Sequence, residues 1–154
     1  MWGVDSFLAS GSKPARHAAE RGGAAGPAVV ALSTSEHDRK ALSIIAKHQL
    51  LDVHFAKSPA EARDLLNQFQ APVMLCDSDW PGTHWHVMVR DFASSPLRPC
   101  VILASRIPDE QVWEELVRCG GHDLVAKPLR LEDLSCALKL AISYWTNARP
   151  ADRR

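Results

Sequence analysis

Residues 73–82 constrain the fold of this chain more than any other stretch. Four mostly apolar residues, 73–76, run directly into Asp77, and a second acid and a Pro-Gly turn follow. A short apolar run that ends in turn residues is typical of a strand buried on both faces, as in parallel sheets covered by helices. In such sheets, functional groups gather beyond the carboxyl ends of the strands. A carboxylate at this position can hold a metal, act as a base or accept a phosphoryl group.

Strand and helix patterns alternate along the chain from residue 28 onward. Short apolar runs predict strands at 28–32, 51–56, 73–76, 101–104 and 123–126. Apolar periodicity and capping residues, such as the Ser58–Glu61 capping box with Pro59 inside it, predict helices at 36–48, 59–69, 84–93, 108–118 and 131–145. Alternation at this length favours right-handed crossovers and a parallel sheet with helices on both faces. The sequence therefore predicts a doubly wound α/β domain.

Three segments resemble motifs of the response-regulator receiver domain, in the order and at the spacing typical of that family. They are the acid-rich turn at 76–82, the glycine turn at 119–123 and the Lys-Pro segment at 126–129. The resemblance extends over residues 28–146 and implies a flavodoxin-like five-stranded sheet with the order 2-1-3-4-5. It also implies that Asp77 is the phosphoacceptor and that Lys127 neutralises the phosphoryl oxygens. The peptide bond before Pro128 is expected to be cis.

Magnesium is the cofactor that the resemblance implies, and the chain departs from the family at the residues that hold it. Receivers carry an acidic pair after the first strand, where this chain has Ser33 and Thr34. Magnesium prefers several hard oxygen ligands with anionic charge, and two hydroxyl groups bring no charge. Asp77 and Asp79 remain as the acidic candidates for metal binding. The acids at 36 and 38 are more simply explained as favourable charges in the first turn of a helix.

The hydroxyl residue that reads out phosphorylation in receivers is also altered. Counted from Pro99 its position is Ala104, whereas counted from Lys127 it is Ser105, which we take as the phosphoryl-stabilising candidate. The aromatic residue that couples to this hydroxyl in the family is replaced by Leu124. The loss of both moving groups argues against the usual rearrangement of the fourth and fifth strands.

Two histidines near the acidic turn, His84 and His86, offer nitrogen ligands for a transition metal. On a helix, residues two positions apart point about 200° apart, so both rings are not expected to reach one ion. The pattern therefore favours surface histidines over a metal site.

Trp113 and Trp145 lie in the fourth and fifth predicted helices, which form the usual partner and dimer surface of receivers. Aromatic residues are common at interface hot spots, and we rank Trp145 as the better interface candidate because it ends its helix. The resemblance implies a histidine kinase or phosphotransfer protein and a downstream protein target as partners. A homodimer through these two helices is the further expectation.

Composition limits the classes of partner. Lys plus Arg and Asp plus Glu number 18 each, so no net charge attracts the chain to nucleic acid or to a membrane surface. Four cysteines without a CxxC motif indicate buried thiols in a reducing compartment, and we expect a cytoplasmic protein. The glycine-rich residues 1–27 are predicted to be a flexible tail, 28–147 the receiver-like domain and 148–154 a polar tail without an effector domain.

Three functions stay open from the sequence. In the first, Asp77 accepts a phosphoryl group, with no enzymatic activity beyond loss of that group. In the second, the chain is a pseudo-receiver, an adaptor whose state does not depend on phosphate. The third is a small flavodoxin-like cofactor-binding enzyme. The loop after the first strand argues against it, because that loop lacks the glycines of a phosphate-binding loop.

Overall fold

A computed structural model describes residues 26–152 of this 154-residue chain. Strands and helices alternate throughout it. The strands are β1 (Ala28–Leu32), β2 (Asp52–Phe55), β3 (Val73–Asp77), β4 (Cys100–Ser105) and β5 (Asp123–Ala126). The helices are α1 (Glu36–Gln49), α2 (Pro59–Phe69), α3 (Trp85–Ala93), α4 (Glu110–Arg118) and α5 (Leu131–Asp152). Nearly all of the predicted tail 1–27 lies outside the described residues.

The five strands form one parallel sheet in the order β2-β1-β3-β4-β5, which confirms the predicted fold class and strand order. The central strands β1, β3 and β4 are buried along their whole length, as expected for strands that are covered on both faces. The edge strand β2 is only half-buried. Its lower apolar content therefore matches its place at the margin of the sheet.

Two hydrophobic layers hold the helices against the sheet, one on each face. Helices α1 and α5 pack on one face around Leu42, Leu75 and Leu138. Helices α2, α3 and α4 pack on the other around Met74 and Phe92. Successive residues of β3 alternate between the two layers because the side chains of a strand point to opposite faces. The predicted helices on both faces are confirmed.

Side-chain caps set the start of three helices. Ser35 caps α1 and Ser58 caps α2, each accepting a hydrogen bond from the amide three residues later. Asp109 caps α4, so that helix begins after the cap and not at 108 as predicted. At the other end of the chain, α5 continues to Asp152, past the predicted end at 145.

The glycine turn before β5 has a steric reason. Gly120 has a φ of +94°, in the region that favours glycine. A Cβ on Gly121 would lie 2.2 Å from the side chain of Leu116 in α4, so there is no room for a side chain. This close packing leads the chain from α4 directly into β5, whose end carries Lys127.

The cysteines differ in part from expectation. Cys76, Cys100 and Cys119 are buried thiols, as predicted, and burial raises the pKa of Cys100 to about 11. Cys136, on α5, is exposed, because it lies on the solvent side of a helix whose opposite side covers the sheet. The prediction that all four are buried is therefore wrong for Cys136.

Candidate functional site

Asp77 and Lys127 form a buried ion pair at the carboxyl edge of the sheet. Lys127 Nζ lies 2.8 Å from Asp77 Oδ1 and 2.9 Å from Asp77 Oδ2. The side chains are 3% exposed for Asp77 and 4% for Lys127. They meet, although 50 positions apart, because β3 and β5 both flank β4 and run parallel to it. The structure thus brings together the two residues on which the resemblance chiefly depends.

Thr34, in the loop after β1, donates two hydrogen bonds to the same carboxylate. Its backbone N lies 3.1 Å and its Oγ1 2.6 Å from Asp77 Oδ2. Its hydroxyl oxygen also lies 3.5 Å from Lys127 Nζ. Ser33 is buried, and its hydroxyl interacts with the backbone of Ser35. At the position of a receiver's metal-binding acid, this chain therefore places a hydrogen-bond donor.

Burial and hydrogen bonding act in opposite directions on this pair. Burial raises the pKa of the Asp77 carboxyl, but hydrogen bonds from Lys127, Thr34 and Asp79 N outweigh it and hold the pKa below its ordinary value. Burial likewise lowers the pKa of Lys127, and its bonds to Asp77 and Asp79 raise it above the ordinary value. Both groups therefore stay charged at neutral pH.

Asp79 and Arg106 extend the ion pair toward solvent. Asp79 N donates to Asp77 Oδ1 at 2.8 Å. Asp79 Oδ2 lies 3.1 Å from Lys127 Nζ and 2.9 Å from Arg106 Nε. Hydrogen bonds from Lys127 and Arg106 hold the pKa of Asp79 below its ordinary value. We call Asp77, Asp79, Arg106 and Lys127 the charge cluster.

An open cavity of about 370 Å³ lies beside the charge cluster. It is lined by Ser35, Asp38, Arg106, Lys127 and Pro128. The Lys127–Pro128 peptide bond is cis. The cavity is open to solvent and reaches Lys127, one member of the buried pair.

The acids at this edge of the sheet do not fit a magnesium ion. Glu36 is 80% exposed and pairs with the neighbouring Arg39. Asp38 is buried, and its Oδ1 accepts a hydrogen bond from Leu129 N at 2.8 Å. Within residues 26–152, no group of three or more His, Cys, Asp or Glu side chains is arranged to hold a metal. The acids predicted to bind the ion, at 77 and 79, are both held by protein cations.

Ser105 ends β4 immediately after Ala104, the residue that pairs with Asp77. It is buried, and its hydroxyl oxygen accepts a hydrogen bond from Ile107 N at 3.1 Å. The hydroxyl therefore serves the turn after β4 in this conformation. Leu124, at the family's aromatic position, packs partly buried against the α2–α4 layer.

The prediction that His84 and His86 point apart is wrong. His84 precedes α3 as its N-terminal cap residue, with φ −70° and ψ 136°, so helical geometry does not apply to it. The two Nδ1 atoms lie 3.1 Å apart, and His86 Nε2 lies 2.8 Å from Glu115 Oε1 on α4. The contact of His86 with Glu115 links α3 to α4.

The two predicted interface tryptophans have different surroundings. Trp113 is 40% exposed on α4, next to exposed Val117. Trp145 is partly buried and packs against both hydrophobic layers. Trp113 is therefore the more exposed of the two. The premise that Trp145 ends its helix is wrong, because α5 continues to Asp152, while the role of either tryptophan at an interface stays a prediction.

Sequence reasoning missed three contributions to the site. Thr34 was predicted only as a lost acid, and Asp38 only as a first-turn charge. Arg106 received no role, although it directly follows β4 and the rule that located Asp77 also applies to it. The contacts of Thr34 and Asp38 had no such signal, because they depend on partners 43 and 91 positions away.

Comparisons with known proteins agree with this geometry. No protein-family model matches the chain. Regulatory protein AtoC of Escherichia coli (strain K12) is 25% identical over 114 residues, which are 74% of this chain and 25% of AtoC. The chain thus spans about a quarter of the length of that relative.

Solved structures match over most of their own length. A response regulator from Thermotoga maritima has a TM-score of 0.68 and 23% identity, covering 76% of this chain and 98% of that one. The chemotaxis protein CheY4 of Vibrio cholerae has a TM-score of 0.67 and 17% identity, covering 75% and 98%. A signal receiver domain of an HD domain-containing protein from Pseudomonas fluorescens Pf-5 has a TM-score of 0.71 and 18% identity, covering 80% and 92%.

Across the part of the chain that the structure describes, none of the helices is long and apolar enough to cross a membrane. The sheet order, the helices on both faces and the solved structures agree with one another. Residues 26–152 therefore have the flavodoxin-like fold of response-regulator receiver domains.

Proposed function

We propose that this chain is a signalling receiver that accepts a phosphoryl group on Asp77 and passes its state on through protein contacts. The observation that carries the proposal is the Asp77–Lys127 pair, in which one ammonium group lies within 2.9 Å of both carboxylate oxygens at the carboxyl edge of the sheet. Phosphoryl transfer depends mainly on positioning and charge stabilisation, and this pair supplies a nucleophile and a fixed cation.

The donor would be a phosphohistidine of a histidine kinase or phosphotransfer protein. One Asp77 oxygen attacks phosphorus, the P–N bond breaks and a P–O bond of an acyl phosphate forms. The leaving imidazole nitrogen takes up a proton from water. Oδ1 accepts two hydrogen bonds, from Asp79 N and Lys127 Nζ, whereas Oδ2 accepts three, from Lys127 Nζ and both donors of Thr34. Oδ1 is the better nucleophile, because fewer of its lone pairs are engaged.

The transfer requires a local rearrangement. Asp77 is only 3% exposed, so the donor reaches it from the cavity beside the charge cluster only when the Lys127 ammonium shifts from the carboxylate to the incoming phosphoryl group. Lys127 would thereby stay paired with negative charge throughout. No further enzymatic activity is part of the proposal, apart from hydrolysis of the chain's own acyl phosphate.

The test is phosphorylation by phosphoramidate, a small donor with the same P–N bond. Intact mass spectrometry should show the gain of one phosphoryl group in the wild-type chain and none in Asp77→Ala. Asp91→Ala serves as the matched control, because Asp91 is an exposed carboxylate on α3. Equal mass gain in the Asp77 and Asp91 variants would place the acceptor elsewhere.

A phosphate-independent adaptor is the second candidate, and a specific observation favours it. The Ser105 hydroxyl is occupied by Ile107 N, and Leu124 stands where the family has an aromatic residue. Without these two moving groups, phosphorylation would have little effect on the α4–β5–α5 face. If the wild-type chain shows no mass gain with phosphoramidate, with or without Mg²⁺, the adaptor replaces the receiver as the conclusion.

A further inference from the structure

The loop after β1 occupies the carboxylate that a metal would otherwise share. Four donor groups contact Asp77: Thr34 N, Thr34 Oγ1, Asp79 N and Lys127 Nζ. An ionised carboxylate has about four lone-pair sites, so these donors saturate it. A divalent cation could bind Asp77 only by displacing the short Thr34 hydroxyl bond or the lysine.

The charge cluster is already balanced. Asp77 and Asp79 contribute two negative charges, and Lys127 and Arg106 contribute two positive charges, through contacts of 2.8–3.1 Å. Magnesium sites depend on uncompensated carboxylates, because the ion gives up its water reluctantly. At a neutral cluster a dication gains little attraction and meets two nearby cations.

We infer that this site works without a divalent cation. Lys127 and Arg106 supply the positive charge that magnesium would otherwise bring, and Thr34 donates hydrogen bonds to the Asp77 oxygen that a metal would otherwise bind. As applied to phosphoryl transfer, the inference rests on the proposed function. Arg106 lies beside Lys127 in the wall of the 370 Å³ cavity and is 73% exposed, so its guanidinium is free to turn from Asp79 to an incoming phosphoryl group. Guanidinium groups bind phosphate oxygens in a bidentate manner.

The first test measures Mg²⁺ binding by isothermal titration calorimetry and does not depend on phosphorylation. The wild-type chain should give no saturable heat with MgCl₂ at millimolar concentrations. Thr34→Asp should gain saturable binding, because it restores a carboxylate next to Asp77 at an exposed position. Thr34→Val is the matched control, since it removes the hydroxyl without adding charge and should stay silent. Saturable millimolar binding by the wild type, abolished in Asp77→Asn, would overturn the inference.

The second test follows phosphoramidate modification in EDTA and in Mg²⁺. The wild type should gain mass at the same rate in both, and Thr34→Asp should become dependent on Mg²⁺. Arg106→Met should slow the EDTA-resistant reaction at least about tenfold, as loss of one charge-stabilising donor does in enzymes. Arg63→Met, at an exposed site on α2, should leave the rate unchanged.

The outcomes separate the two proposals. Modification that requires Mg²⁺ in the wild type overturns the inference and leaves the proposed function intact. Absence of any modification in either buffer overturns the proposed function, and the calorimetric titration still decides whether the site takes a divalent cation. Circular dichroism of each variant confirms that it is folded before its result is used.

Discussion

At the scale of single residues, Asp77 is a buried carboxylate whose two oxygens both accept hydrogen bonds. Its pKa is held below the ordinary value only because the donors around it outweigh the effect of burial. The three residues that donate, Thr34, Asp79 and Lys127, lie in three different loops, after β1, β3 and β5. The protonation state of one carboxyl group therefore reports whether these loops are correctly packed.

This arrangement predicts a specific pH dependence of stability. The folded pKa of Asp77 lies below the value of an unfolded aspartate, about 3.9, so the unfolded chain binds the proton more readily. The contribution of Asp77 to the free energy of unfolding is thus present above about pH 4 and is lost as pH falls through the folded pKa. Urea denaturation between about pH 3 and 7 should show a steeper acid loss for the wild type than for Asp77→Asn.

Asp91→Asn is the control for this experiment, since it removes an exposed carboxylate of α3. Its acid profile should follow that of the wild type. If the curves of the wild type and Asp77→Asn run parallel, Asp77 does not carry the predicted share of the acid dependence.

At the scale of elements, one buried carboxylate joins α1 to the loop after β5. Asp38 is 2% exposed, and its Oδ1 accepts from Leu129 N at 2.8 Å. That loop also carries Lys127 and Pro128, so the contact helps to position the lysine over Asp77. A first-turn acid of α1 thereby becomes a structural support of the site.

Removing this contact should destabilise the domain. Asp38→Ala leaves the buried Leu129 amide without its acceptor, which we expect to lower the free energy of unfolding by about 2 kcal/mol. Asp38→Asn retains an acceptor oxygen, so its free energy of unfolding should fall clearly less than that of Asp38→Ala. Chemical denaturation at neutral pH measures both. Equal losses in the two variants would mean that the contact between Asp38 and Leu129 is not the source of the effect.

At the scale of the whole molecule, the sheet separates two packed layers. Leu138 on α5 is fully buried in the α1–α5 layer, while Leu140 on the same helix is 58% exposed. Leu138→Ala should therefore lower the free energy of unfolding by about 3 kcal/mol, because it removes buried apolar surface and leaves a cavity. Leu140→Ala removes the same side-chain volume from an exposed site, so its free energy of unfolding should stay within about 0.5 kcal/mol of the wild type.

Urea unfolding, followed by circular dichroism and tryptophan fluorescence, tests this pair of variants. Coincident transitions from both probes are expected, because both layers share the same central strands. A similar loss in the two variants would contradict the assignment of α5 as a helix with one buried and one exposed side.

Much of the site's location follows from local rules. Because strands and helices alternate, the strands run parallel and the carboxyl ends of β3, β4 and β5 lie at one edge of the sheet. The residues that end or follow these strands, among them Asp77, Arg106 and Lys127, therefore lie close together there. Cap positions are less reliable, because one residue decides them. His84 was predicted to be helical and instead precedes α3, which brings its ring next to that of His86.

The sequence alone determined the layered architecture and the edge of the sheet where charged residues collect, because hydrophobic periodicity and turn residues are properties of short segments. How those charges are paired and hydrogen-bonded depends on the folded, packed chain. The hydrogen bond from the Thr34 hydroxyl to Asp77 joins segments 43 positions apart, and the bond from the Leu129 amide to Asp38 joins segments 91 positions apart. Such bonds form or break when the atoms shift by a few tenths of an ångström. No local pattern carries that information, since it arises only when the five strands are in register.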